Sequence, residues 1–222
     1  MFLQETKCNS EALGKILTKA WPRCHSVVVD ASGSSGGLAI IWDMQAIELG
    51  DFHAAQNLIQ ATFHLIGTNI HGNLSNVYFP QDLASNSALL NMIEILNSNR
   101  MHQLWILGGD FNMIRKLEEK IGGRSRLDLD SSHFRDFISR SWLIDLPFSN
   151  GMYTWNNKRS GSHHIASKLD RFLISDNSIH LGGDTFASIL PISSSDHWPI
   201  ALQWQSPNQH LKWHFHFEAF WF

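Results

Sequence analysis

What most constrains the fold of this chain is the way its apolar runs end. LWILGGDFNMI (residues 104–114) is hydrophobic enough for a buried strand, then stops at Gly108, Gly109, Asp110, Phe111 and Asn112. Gly, Asp and Asn are ordinary turn residues, so this segment alone reads as a strand and its turn. The arrangement recurs, however. FLQETK ends a short apolar run in Glu5, and NVYFP puts Tyr78 at a strand end just before Pro80. SKLDRFLIS inserts Asp170 into an apolar stretch, and SSSDHWPI sets Asp196 and His197 ahead of a final strand. A sheet whose strand ends converge on one rim would gather these groups into one pocket.

The rest of the pattern suits such a sheet. Ser26–Asp30, Leu38–Trp42, residues 58–66 and 74–79, MYTWN, KLDRFLIS, TFASIL and PIALQW all read as strands, being short and rich in β-branched or aromatic residues. Helical spacing appears at Leu13, Ile16, Leu17 and Trp21, with Ser10 as cap. It appears again at Leu89, Met92, Ile93 and Leu96 after cap candidates Ser85 and Asn86, and through Phe134, Phe137, Ile138 and Trp142 within Ser131–Trp142. Many strands with few helices indicate a mixed α/β layered domain, and simple βαβα alternation is not followed. No repeat period is visible. From Ser206 the chain changes to polar residues and then dense aromatics, so residues 1–205 are read as the domain and 206–222 as the start of a linker.

The polar types at the strand ends fit phosphodiester hydrolysis. A carboxylate such as Glu5 is the hard oxygen ligand that Mg²⁺ prefers. A histidine held by a carboxylate, as His197 would be, is oriented and can stabilise developing charge. Asp110 can orient or deprotonate a water, Asn112 can bond a phosphate oxygen, and Tyr78 can donate to negative charge.

Several other classes are excluded. SGSSGG (32–37) lacks the GK[ST] ending of a phosphate-cradling loop. Cys8 and Cys24 are too few for a disulfide framework and read as free thiols. No apolar run is long enough to span a bilayer, and Met1–Lys7 has no signal-peptide character. A net charge of −3 gives no general attraction for nucleic acid, so any such binding needs a local patch. His163 and His164 lie in a loop-like stretch and read as solvated.

At these residues the chain resembles the exonuclease–endonuclease–phosphatase superfamily, with its deoxyribonuclease I-like, apurinic-endonuclease-like fold. The motifs run in family order: QET (Gln4–Thr6), VYFP (Val77–Pro80), GDFN (Gly109–Asn112), LDRFLIS (Leu169–Ser175) and SDHWPI (Ser195–Ile200). FLQETK, GGDFNMI, DFISRSWLIDLPFSNGMYTWNN, SKLDRFLIS and SDHWPI look closer still to the endonuclease domain of plant long interspersed (non-long-terminal-repeat) retroelements. The resemblance implies a four-layered α/β sandwich of two packed mixed sheets flanked by helices. It also implies an intracellular, DNA-nicking enzyme, nuclear if active, that uses Mg²⁺ or Mn²⁺. By the same resemblance Glu5 and Asp196 serve the metal and Tyr78 bonds the scissile phosphate. Asp110 activates water beside Asn112, and Asp170 pairs with His197. Trp155, Asn156 and Arg124 are candidate DNA contacts, with packing for Trp155 and solvation for Arg124 as competing readings.

The aromatic tail FHFEAFWF resembles the linker that leads towards a reverse transcriptase in such polyproteins, but no polymerase motif follows here. The family usually opens with a strand bearing an Asn ahead of QET. Met1 stands only four residues before Glu5, so that first strand is expected to be missing. Two alternatives remain open: a phosphomonoesterase or phosphoinositide phosphatase on the same scaffold, and a non-catalytic remnant.

Overall fold

The computed structural model describes residues 1–33, 35–98, 104–123, 129–176, 184–191 and 195–205. The expected linker 206–222 and Arg124 lie outside them.

A six-stranded sheet forms the centre. Its strands are β4 (Ile47–Ala55), β5 (Leu58–Leu65), β6 (His71–Tyr78), β7 (Leu104–Asp110), β12 (Asp170–Ser175) and β9 (Leu143–Asp145), hydrogen-bonded in that order. Only the β6–β7 pairing is parallel. A second layer faces it in two pieces. One is a sheet of β1 (Phe2–Gln4), β3 (Leu38–Asp43) and β2 (Cys24–Val29), and the other pairs β13 (Asp184–Ile189) with β14 (Ile200–Gln205). Among the described residues β1 has a strand partner on one side only and β13–β14 stands apart from it.

Helices cover both outer faces, completing four layers. Against the six-stranded sheet pack α2 (Leu83–Asn97) and α3 (Leu129–Arg140), which bury Leu89, Ile93, Phe134 and Phe137 with Val77, Leu107 and Leu173. Each such side chain contributes about 1.5–3 kcal/mol by leaving water. Helix α1 (Ser10–Ala20) lays Leu13 and Leu17 on Ala39 and Ile41 of the smaller sheet. Leu38, Ile40 and Ile59 fill the space between the sheets. This is the α/β sandwich expected from the motifs.

Several expectations need correction. The cap of α1 is Asn9, whose side chain accepts from the Ala12 amide, while the Ser10 amide donates to Asp30. The cap of α2 is Asp82, bonded by the Ser85 amide, and Asn86 is buried inside the helix. Helix α3 stops at Arg140 because Trp142 takes a left-handed φ of 52°. Strand β4 had no counterpart in the sequence reading. It is a mostly exposed edge strand, bulged between Leu49 and Phe52, so clean alternation is lost. MYTWN yields only the two-residue β10 (Trp155–Asn156), which joins β11 (Ala166–Ser167) and β8 (Lys120–Ile121) in a small sheet. Both cysteines are free. No helix among the described residues is long and apolar enough to cross a membrane.

Candidate active site

Strand register builds the rim. Asp110 is paired with Tyr78 across β6–β7 and with Asp170 across β7–β12, so three polar residues meet at the same end of three adjacent strands. The sharp end of β7 depends on Gly109. Its φ is +141°, and a Cβ there would collide with the Val77 carbonyl, so only glycine lets β6 and β7 close here. The turn is then locked: the Asn112 amide donates to Asp110 Oδ1 at 2.9 Å, and Asn112 Nδ2 donates to the Phe79 carbonyl at 2.7 Å. Asn112, expected to touch phosphate, therefore spends at least one amide hydrogen on holding the turn.

His197 arrives from the loop before β14. It is bridged to Trp155, the Trp198 amide donates to the Thr154 carbonyl, and the Asn156 amide donates to the Asp196 carbonyl. His197 Nδ1 donates to Asp170 Oδ2 at 2.9 Å, which leaves Nε2 3.9 Å from Asp110 Oδ2. Burial alone would lower the His197 pKa. The hydrogen bond and charge of Asp170, with Asp110 and Asp196 behind it, outweigh burial and raise it to about 9. The imidazolium is the resting form at neutral pH.

Asp110 is shifted the other way for an acid. Burial and then the neighbouring Asp170 charge push it up to about 7, against the pull of His197 and the Asn112 amide. A carboxylate poised near neutrality is suited to exchange protons. On the far side, Tyr78 Oη donates to Glu5 Oε1 at 2.6 Å, and burial followed by that bond and the Glu5 charge raises the phenol. Glu5 sits at a left-handed φ of 50° and also pairs with Lys7.

Asp110, Asp170 and His197 offer ligand atoms within 4.8 Å of one another. This is a candidate metal centre. The donors open to a metal are carboxylate oxygens with no thiolate, since the imidazolium has no lone pair to give, and two acids repel each other in a buried place. Both features suit a hard divalent cation such as Mg²⁺ or Mn²⁺. Glu5 and Asp196, the expected ligands, lie outside that group. Asp196 Oδ2 accepts from Trp155 Nε1 at 2.9 Å, and this bond keeps its carboxyl below the usual range although burial opposes it. Trp155 is thus tied to the site's own acid, while the Asn156 side chain accepts from the Lys158 amide.

Two contributors escaped the sequence reading. Thr154 is fully buried, and its hydroxyl oxygen accepts from the Leu169 and Asp170 amides, fixing the start of β12. Asn76, also fully buried, donates to the Leu3 and Ala39 carbonyls and accepts from Gln4 Nε2, so it ties β6 to the strand that delivers Glu5. A polar residue at an inward position of β6 was the available signal.

The chain belongs to the Endonuclease/Exonuclease/phosphatase family, whose model matches residues 1–197. Among curated proteins none matches it. Solved structures share its fold at low identity. The AP endonuclease LMAP from Leishmania major is 14% identical with a TM-score of 0.69, covering 92% of this chain and 77% of that one. The endonuclease domain of TRAS1, a telomere-specific non-LTR retrotransposon, is 16% identical with a TM-score of 0.65, covering 92% and 94%. A mannosyl-6-phosphatase of Bacteroides thetaiotaomicron is 14% identical with a TM-score of 0.58, covering 90% and 83%. Membership makes the chain one of a hydrolytic superfamily of phosphodiesterases and phosphatases.

Proposed function

We propose that this chain is a divalent-metal-dependent endonuclease that nicks DNA, of the retroelement kind, acting in the nucleus. The observation that carries the reading is the Asp170–His197–Asp110 array. An anchored imidazolium faces an acid that titrates near neutrality, at the point where strand register also delivers Tyr78. In this reading His197 donates to the phosphate or the leaving oxygen, Asp110 takes the proton of the attacking water, and Tyr78 bonds the scissile phosphate. Asn112 holds the turn that carries Asp110. A divalent ion held by Glu5, with Asp196 and the Asp110–Asp170 pair on the same rim, would stabilise negative charge on the phosphate. The segment after Trp155 carries the exposed Lys158 and Arg159, and the Lys158 charge acts on Asp196 of the rim, a small basic patch on a chain of net charge −3. Such a patch suits a polyanion better than a single phosphate ester. A phosphatase reading is the second choice, since the fold is shared with a sugar phosphatase.

The test is nicking of supercoiled plasmid with Mg²⁺ or Mn²⁺, run beside a phosphomonoester and a phosphoinositide. The proposal expects nicking that EDTA abolishes and little monoester release. Nicking that persists in excess EDTA would remove the metal from the account, and preferential monoester hydrolysis would favour the phosphatase.

A further inference from the structure

Directly behind the rim lies a group of charges that the chemistry above does not use. Asp170 and Arg171 are adjacent on β12, so alternation sends Asp170 to the rim and Arg171 to the opposite face. There the guanidinium is completely buried. Its Nη1 donates to Asp145 Oδ2 at 2.7 Å, and its Nη2 donates to Glu119 Oε2 at 3.0 Å. The same Nη2 also donates to two backbone carbonyls, Met113 at 3.0 Å and Lys168 at 2.8 Å. Those carbonyls are not arbitrary. Met113 directly follows the Asp110–Asn112 turn, and Lys168 stands two residues before Asp170. Phe134 lies under the guanidinium, 5.3 Å from its centre to the ring, and continues to Phe111 inside the turn at 5.0 Å.

We propose that Arg171 is a positioning residue, one side chain that clamps the two backbone segments bearing Asp110 and Asp170 and so holds both acids in register with His197. Stability alone is a poor reason to bury it. A buried ion pair is often replaced by apolar residues at no cost, because desolvation offsets its attraction. A planar fork reaching two carboxylates and two carbonyls at once, however, fixes relative positions in a way an apolar side chain or a single ammonium cannot. Misplacing a reacting group by about 1 Å can cost about 100-fold in rate. Arg115 gives the contrast. It bonds Asp145 Oδ2 at 2.7 Å from the cluster's edge and touches neither carbonyl with its side chain.

The proposal rests on the hydrolase reading, and its test separates the two. Arg171→Lys and Arg115→Met are prepared in the full chain, and their plasmid nicking is followed below their melting temperatures. Arg171→Lys should lose kcat by about 100-fold with KM little changed, whereas Arg115→Met melts lower yet keeps wild-type kcat. Equal kcat in the two variants overturns the clamp. Crystal structures of both variants supply a readout that needs no activity. Arg171→Lys should lengthen the 2.9 Å Asp170–His197 contact or the 3.9 Å Asp110–His197 separation, and Arg115→Met should leave both. An inactive wild type sinks the hydrolase reading. In that case an unmoved Asp110, Asp170 and His197 in Arg171→Lys sinks the clamp separately.

Discussion

Asp110 and Asp145 are acids buried to nearly the same degree, with side chains 6% and 2% exposed, yet they titrate in opposite directions. Burial raises both. At Asp145 the Arg171 and Lys168 charges, with hydrogen bonds from Lys168 and Arg115, overcome it and hold the carboxyl below its usual range. At Asp110 the strongest charge effect comes from another acid, Asp170, and the carboxyl rises to about 7. The difference lies in the company each acid keeps, and on the proposed reading it separates a structural charge from a reactive one. Asp145 has donors on both oxygens. Asp110 has one short amide bond and an imidazolium 3.9 Å away, which leaves it able to move a proton or meet a cation.

Substitutions that treat the two regions alike should therefore give unlike results. The largest effect is expected for His197→Ala, which removes the imidazolium from a half-exposed rim position. Nicking should fall by about 3–6 kcal/mol of barrier, several powers of ten, with the melting temperature little changed. A variant that nicks normally would show that the array is not catalytic. Next comes Asp145→Ala, which leaves Arg171 and Lys168 buried without their shared acid. Urea titration should show a loss of about 3–5 kcal/mol, a large part of a domain's whole stability. A loss below about 1 kcal/mol would mean the cluster behaves as a surface pair.

A smaller effect is expected from pH in metal-free protein. Folded Asp110 titrates near 7 against 3.8 unfolded, and folded His197 near 9 against 6.5. Both groups hold protons more tightly when folded, so the folded state binds more protons and stability falls as pH rises. The Asp110 part is lost between about 4 and 7, and the His197 part above 6.5 and through about 9. Thermal melts should drop from pH 5 to pH 8, and His197→Ala should flatten the upper part of that slope. A melting temperature that rises over this range in wild type contradicts the shifts. The smallest effect is expected for Tyr78→Phe, which loses one hydrogen bond worth about 0.5–1.5 kcal/mol. Nicking should fall about tenfold or less, and a null effect would confine Tyr78 to holding Glu5.

The same contrast explains what could be read from the chain. The rim was legible because an acid, phenol or imidazole at the end of an apolar run violates local expectation, and Glu5, Tyr78, Asp110, Asp170 and His197 each do so. The helices and inner strands were legible through periodicity, with caps missed by a residue or a few because neighbouring polar residues compete for the same role, as Asn9 and Ser10 do. Strand β4 was illegible since most of its side chains face solvent and a bulge breaks its period. The Arg171 cluster was missed for another reason. Its members, at 115, 119, 145, 168 and 171, look singly like solvated surface charges, and only the pairing of β12 with β9 and the return of the 113–119 segment bring them together. Glu5 and Asp196 were assigned to the metal from carboxylate chemistry and family resemblance; among the described residues, Asp110, Asp170 and His197 bring their ligand atoms within 4.8 Å of one another.

Asp110→Asn tests the central claim most directly, because it keeps shape while removing the buried charge. Nicking in Mg²⁺ and thermal melting without metal are measured on the same preparation. A reactive, incompletely paired acid predicts that nicking falls by about 10²–10³ or more while the metal-free melting temperature at pH 8 holds or rises. A variant that nicks at the wild-type rate, or one that unfolds as a broken structural pair would, contradicts the account.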